Sequence, residues 1–131
     1  MRSGFFIPIT TAFIYNKSKE YGAHSASLIL RACLWLKLSG KLSTAQLATV
    51  NAVGKRCWDY LELRYRNTPG EKMRYTWANN NETWFGFWYF EIVATIAYLL
   101  KNQAGIPDGI DPILMRKRMV ETATWLNNNV R

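Results

Sequence analysis

The fold of this chain is decided by residues 43–66, which read STAQLATVNAVGKRCWDYLELRYR. Ser43 and Gln46 have the spacing of a capping box, in which the two side chains each bind a backbone N–H at the start of a helix. Apolar residues then recur at steps of three and four and predict one buried helix face: Leu47, Val50, Val53, Cys57, Trp58, Leu61 and Tyr65. The charged residues, Glu62 among them, fall largely off that face, and the Thr-Pro-Gly of residues 68–70 ends the helix.

Three further helices are expected on either side of this one. Residues 25–38 predict a more fully buried helix, and the short link that follows it makes an antiparallel hairpin with residues 43–66. Residues 82–102 are apolar nearly all round, which is typical of a helix at the centre of a bundle. Asp111 followed by Pro112 predicts the N-cap and the first turn of a last helix.

Residues 5–21 fit either a strand, by their alternating pattern, or a helix that starts after Pro8. No other part of the chain supplies enough strands for a sheet. The sequence therefore predicts an all-α fold, a single-domain bundle of four to six helices that includes residues 1–131.

Composition supports one globular domain with a basic half. The chain has 131 residues, of which 49% are hydrophobic and 20% are charged, and its formal net charge is +8. Residues 1–80 contain twelve basic and four acidic side chains, whereas residues 81–131 contain five of each. A basic half suggests an acidic partner, which is a nucleic acid, a lipid surface or an acidic protein.

The cysteines and the N-terminus favour a cytoplasmic protein. Cys33 and Cys57 lie in apolar surroundings without a C-x-x-C motif, so we interpret them as two core thiols in a reducing compartment. The apolar stretch 5–15 is similar to a signal peptide, but Pro8 lies near its start and no cleavage motif follows it, so a mature cytosolic start is expected.

No membrane span is expected. The longest apolar run, residues 84–100, gives a helix of about 25 Å, which is shorter than the bilayer core of roughly 30 Å. Glu91 lies near the middle of this run, where a carboxylate is unfavourable in lipid.

Catalytic chemistry has little support, and the protein is predicted not to be an enzyme. His24 is the single histidine, and its interpretation as a solvent-facing or capping residue is favoured over a catalytic or metal-binding role. Asp108 and Asp111 are explained by a turn and an N-cap rather than by a calcium loop. No catalytic residue, cofactor or metal site is therefore predicted.

Arg31 and Glu91 are the two charges that fit worst in their surroundings. Each interrupts an apolar helical run, and a buried carboxylate needs a hydrogen-bond donor or stays protonated. We interpret them as a structural buried pair that joins two helices.

A basic and aromatic segment at residues 64–77 is the candidate partner-binding site. Its proposed anchors are Arg64, Arg66, Lys72, Arg74 and Trp77. Such a segment grips phosphates and stacks bases in some proteins, forms a protein–protein hot spot in others, or packs back on its own bundle. A competing face, ranked lower, is the last helix with Arg116, Lys117 and Arg118.

Residues 83–94, TWFGFWYFEIVA, resemble the aromatic and glutamate segment of PoNe-type toxin immunity proteins, with matches at Gly86, Trp88, Phe90 and Glu91. Residues 38–43 and the helix after them are similar to the Ser-Gly turn and second helix of that family.

This resemblance implies an all-α bacterial protein of the cytoplasm that binds a cognate nuclease toxin delivered between competing cells. Binding neutralises the toxin by covering its active site. The basic charge implies that the toxin offers an acidic or mixed surface. The alternative hypothesis is a basic helical protein that binds nucleic acid or acts in regulation.

Overall fold

The computed structural model describes residues 22–67 and 83–129, and these residues fold as an all-α bundle. Helix α1 is Gly22–Leu38, α2 is Thr44–Asn67, α3 is Thr83–Lys101 and α4 is Pro112–Asn129, with a short 3₁₀ helix at Gln103–Gly105. No strand occurs in the described ranges, so the predicted fold class is confirmed. The segment 5–21, left open between strand and helix, lies outside the described residues.

Two helix starts follow the predicted capping chemistry. The backbone N–H of Ser43 donates to Oε1 of Gln46 at 2.9 Å, and the N–H of Gln46 donates to Oγ of Ser43 at 3.1 Å. At α4 the N–H of Ile113 donates to Oδ1 of Asp111 at 2.8 Å. Both starts are therefore fixed by local side chains that satisfy backbone donors left free by the helix.

Helices α1 and α2 form the predicted antiparallel hairpin. Gly40, with a φ of 68°, lies in the link between them, and this left-handed backbone conformation favours glycine. Deeper in the hairpin, a Cβ placed on Gly54 would be 3.4 Å from Cβ of Cys33 and would overlap Cγ of Pro107. The missing side chain of Gly54 thus lets α1 and the loop before α4 approach α2 closely.

The other two helices close a ring. Helix α3 packs beside α1 and runs in the same direction, since Arg31 contacts Glu91 and Trp35 contacts Tyr98. Helix α4 packs against α3 and reaches α2 through side chains. The core at the centre of this ring is apolar, and its largest fully buried members are Leu30, Leu34, Leu61, Ile92, Ile96, Leu99 and Met115.

A lysine fixes the loop between α3 and α4. Nζ of Lys37 donates to Oδ1 of Asp108 at 2.8 Å, to the carbonyl oxygen of Ile106 at 2.9 Å and to Oδ1 of Asn51 at 3.1 Å. The backbone N–H of Asp108 also donates to Asn51. Turn and cap contacts thus explain both Asp108 and Asp111, as expected.

Helices α1 and α3 begin, and α2 and α4 end, on the same side of the bundle, which we call the exit end. Contacts near this end join Tyr65 to Glu121 and Arg31 to Glu91. Residues 39–43 and 102–111 connect helices at the opposite end. The chain therefore leaves the described ranges, toward the segment 68–82, at the exit end.

Helix α1 is more fully buried than α2, as expected, although Leu28, Trp35, Leu36 and Leu38 are exposed along it. The expectation that α3 is enclosed on all sides was wrong, since Phe90 and Tyr98 are exposed. Each helix has neighbours on only part of its circumference in a four-membered ring. Within the described residues, no helix is long and apolar enough to cross a membrane.

Candidate partner-binding site

The candidate site residues that the structure describes lie in the last turn of α2. Arg66 is exposed and Arg64 is half-buried, both at the exit end. Lys72, Arg74 and Trp77 lie outside the described residues. The structure thus brings Arg64 and Arg66 to one helix end and leaves the grouping of all five residues as a prediction.

Arg66 is available to a partner. Its guanidinium makes no ion pair with any side chain in residues 22–67 or 83–129. A cation in the last turn of a helix is favoured by the partial negative charge of the helix C-terminus. The position of Arg66 is therefore compatible with the fold without a salt bridge, and its donors face solvent.

The competing face on α4 does not act as one basic cluster. Arg116 and Lys117 are exposed, but Arg118 turns inward and is half-buried. Nε of Arg118 donates to Oε2 of Glu62 at 2.7 Å, and Nη2 donates to Oε1 of the same residue at 2.8 Å. The Arg118 charge is therefore used to hold α4 to α2.

The sequence interpretation is most clearly wrong at Glu62, which it placed off the buried face of its helix. It is 8% exposed. Arg118 also donates from Nη1 to Oε1 of Glu121 at 2.9 Å, and the hydroxyl of Tyr65 donates to the same oxygen at 3.0 Å. The Arg118 guanidinium carbon lies 4.4 Å from the centre of the Tyr65 ring. Four side chains thus form one polar cluster between α2 and α4.

Contacts within this cluster shift the pKa values of Arg118 and Glu121 in opposite directions. The hydrogen bond to Glu62 raises the pKa of Arg118, against the opposing effect of burial. Burial alone would raise the pKa of Glu121, but hydrogen bonds from Arg118 and Tyr65 lower it overall. Arg118 and Glu121 are therefore both charged at neutral pH, and the hydrogen bond between them is charge-assisted.

The predicted contact between Arg31 and Glu91 is present between α1 and α3. Nη2 of Arg31 donates to Oε2 of Glu91 and to its carbonyl oxygen, at 2.9 and 3.0 Å. Nε donates to Oγ1 of Thr95 at 3.0 Å. The pair is only partly buried, with side chains 23% and 34% exposed, because it lies at the rim of the α1–α3 contact.

His24 lies in the first turn of α1 and is half-buried. Burial lowers its pKa below the usual 6.5, the nearby carboxylate of Glu91 acts in the opposite direction and Arg31 lowers it further. The imidazole is therefore neutral at pH 7, which fits a structural role better than a charged contact to a partner.

The two cysteines are buried free thiols, as predicted. Burial raises the pKa of Cys33 to about 11 and that of Cys57 to about 12. A thiol with such a pKa carries almost no thiolate at neutral pH and is a poor nucleophile. Among the described residues, no group of three or more His, Cys, Asp or Glu side chains is arranged to hold a metal ion.

Comparison of the chain with protein-family models, curated proteins and solved structures gave no match.

Proposed function

We propose that this protein is an immunity protein that binds a cognate antibacterial toxin in the cytoplasm and blocks its active site. The toxin is a nuclease if the resemblance of residues 83–94 extends to function. In this proposal the protein is a stoichiometric inhibitor and not an enzyme.

The observation that carries the proposal is the unequal distribution of charge over the bundle. Residues 22–67, which contain α1 and α2, have seven basic side chains and two acidic ones. Residues 83–129 have four of each. The positive charge is therefore concentrated on one hairpin, and such a surface attracts an acidic or mixed partner surface.

The exit end supplies the proposed contacts. Arg66 is exposed there, and the predicted anchors Lys72, Arg74 and Trp77 follow it closely in sequence. Arginine binds carboxylates through two parallel hydrogen bonds, and tryptophan fills apolar pockets at protein–protein interfaces. A standard interface takes about 800 Å² from each partner, and this helix end together with residues 68–82 is proposed to supply that area.

Co-expression tests the proposal directly. The proposal expects the gene immediately upstream to encode the cognate toxin domain. That domain is expressed in a sensitive strain with and without this protein, and growth is recorded. We expect the wild-type protein to restore growth. A variant with Arg64, Arg66, Lys72 and Arg74 replaced by Ala should protect poorly, whereas the matched control Arg116→Ala/Lys117→Ala should protect fully. Absence of protection by folded wild-type protein contradicts the proposal.

The same charge distribution favours one second candidate, a nucleic-acid-binding protein. Binding through phosphate contacts weakens steeply as salt increases, since counterions are released on binding. Fluorescence anisotropy with a generic DNA duplex and an RNA hairpin, measured at several salt concentrations, separates the two functions. Micromolar, salt-sensitive binding together with failure to protect cells supports this second candidate.

A further inference from the structure

An exposed aromatic pair joins α1 to α3. Trp35 and Tyr98 are 46% and 43% exposed. Their ring centres lie 5.9 Å apart with an interplanar angle of 59°. The guanidinium carbon of Arg31 lies 5.4 Å from the centre of the Tyr98 ring. These three side chains, which we call the aromatic face, are held together by the protein itself and yet remain open to solvent.

Two more exposed apolar side chains lie nearer the exit end, around the Arg31–Glu91 pair. Leu28 precedes Trp35 by two helical turns on α1, and Phe90 precedes Tyr98 by about two turns on α3. They are 41% and 52% exposed. A group of exposed apolar side chains marks a site of interaction more often than a single one does. Trp, Tyr and Arg are also the residues most enriched in protein–protein hot spots.

Three hydrogen-bond donors on this face have no acceptor among the described residues. Nη1 of Arg31 makes no hydrogen bond within the described residues, although Nε and Nη2 do. The indole N–H of Trp35 and the hydroxyl of Tyr98 likewise have no hydrogen-bond partner in the described ranges. A partner that packs on the Trp35 and Tyr98 rings can therefore also accept hydrogen bonds from this face.

The charges around the face are unbalanced. The sequence of α1 contains no acidic residue, and Glu91 is the single acidic residue of α3. The Glu91 carboxylate already forms an ion pair with Arg31. Lys101 lies one turn beyond Tyr98, is exposed and makes no ion pair among the described residues. The face thus offers positive charge to a partner and little negative charge.

We propose that the aromatic face docks an acidic protein surface, with an apolar side chain of the partner over Trp35 and Tyr98 and a carboxylate at Nη1 of Arg31 or at Lys101. The proposal rests on the proposed function for the identity of this partner, which is the cognate toxin. The face then adds a second set of contacts to those of the exit end.

Along the bundle axis, the aromatic face lies within one interface width of the exit end. Trp35 lies 13 residues along α1 from the exit end at Gly22, which corresponds to about 20 Å of helix. A patch of about 800 Å² is roughly 28 Å across. A second copy of this chain is a poorer occupant, because a symmetric dimer brings the cations of the two faces together.

Affinity measurements with matched variants test this docking site. The purified toxin domain encoded upstream is titrated with wild-type protein, Trp35→Ala, Tyr98→Ala and Lys101→Glu by calorimetry. Ile113→Ala and Val120→Ala are the controls, since these residues are exposed apolar side chains on α4 at 74% and 61%. Thermal midpoints of all variants are measured in parallel, together with sedimentation of the wild type at several concentrations.

The proposal predicts a specific pattern. Trp35→Ala and Tyr98→Ala should each weaken binding by about 10-fold or more, as truncation of hot-spot residues does. Their thermal midpoints should fall by only a few degrees, which corresponds to the loss of one half-exposed ring contact. Lys101→Glu should also bind more weakly, and both controls should bind normally.

Other results overturn the proposal in distinguishable ways. If wild type and both aromatic variants bind tightly, the immunity function is retained but the aromatic face is not the docking site. A large loss of thermal stability in the aromatic variants, with normal binding by Lys101→Glu, shows that the chain itself covers the face. Self-association that Trp35→Ala abolishes assigns the face to a second copy. Absence of wild-type binding and of protection in cells contradicts the proposed function and this docking site together.

Discussion

The carboxylate of Glu62 on α2 accepts two hydrogen bonds from the guanidinium of Arg118 on α4, at 2.7 and 2.8 Å. The two residues are 56 positions apart in the sequence, and their side chains are 11% and 13% exposed. This pair joins two helices that are not consecutive in the chain. The closure of the bundle therefore depends on a polar contact as well as on apolar packing.

Removal of one member of this pair should destabilise the protein strongly. Arg118→Ala should lower the free energy of unfolding by about 3–5 kcal/mol, because Glu62 is left buried without its partner. Glu62→Ala should lower it by about 2–3 kcal/mol, because Arg118 keeps its contact with Glu121. Urea denaturation measures this change. Asp59→Ala is the matched control, since its contact with Lys55 is exposed and such pairs contribute less than about 1 kcal/mol. A loss below about 1 kcal/mol for both Glu62→Ala and Arg118→Ala contradicts the assigned role.

The partly exposed pair between Arg31 and Glu91 should have a smaller effect. Solvent screens Glu91, and its replacement by Gln keeps a hydrogen-bond acceptor beside Arg31. We expect Glu91→Gln to lower the free energy of unfolding by about 1–2 kcal/mol. The same urea experiment provides the comparison, and a loss equal to that of Glu62→Ala would show that water does not reach Glu91.

Gly54→Ala should destabilise the protein, although alanine has the better helix propensity by about 1 kcal/mol. The added Cβ would overlap Cγ of Pro107 and lie 2.8 Å from its Cβ. Overpacking of this kind typically lowers stability by about 1–3 kcal/mol. Ala52 is exposed in the same helix, so Ala52→Gly should lower stability only through the poorer helix propensity of glycine. A Gly54→Ala protein more stable than wild type would contradict the close packing of α2 against the loop.

His24 gives a direct probe of the electrostatics between α1 and α3. It is the only histidine, so one imidazole proton signal can be followed by NMR as the pH is changed. Burial should place its pKa below 6.5, and Glu91→Gln should lower the pKa further because the carboxylate that raises it is removed. Asp108→Asn, at the opposite end of the bundle, should leave the titration unchanged. A pKa at or above 6.5 in the wild type would contradict the described environment.

The same shift has a consequence for stability. A lowered pKa means that the unfolded chain binds more protons than the folded protein as the pH falls below 6.5. The contribution of His24 to stability is therefore present above pH 6.5 and decreases as the pH falls through the lowered value. Thermal midpoints of wild type and His24→Gln at pH 7.5 and at pH 5 should reveal a smaller decrease in the variant.

Much of the fold was predictable because its signals are local. Ser43 and Gln46 fix the start of α2 through contacts within one turn, and Asp111 fixes the start of α4 in the same way. The contact of Arg31 with Glu91 was predictable for another reason. Each charge interrupts an apolar helix and requires a partner, and few candidates exist.

The remaining contacts depend on how helices pack, which local periodicity does not determine. Glu62 and Arg118 each lie among other charged residues of their own helix, so neither one stands out as buried. Residues 25–38, Trp35 among them, were interpreted as a more fully buried helix, whereas the ring of four helices leaves the Trp35 side of α1 open. Hence the aromatic face became visible only when α1 and α3 were placed side by side.

The central claim is that this protein neutralises a toxin by covering its active site, and a titration of toxin activity tests it most directly. The purified toxin domain encoded upstream is assayed on its substrate while this protein is added in increasing amounts. We predict that toxin activity falls linearly and reaches zero at an equimolar ratio. The variant with Arg64, Arg66, Lys72 and Arg74 replaced by Ala should inhibit poorly. Full toxin activity in a large excess of folded protein would contradict the account.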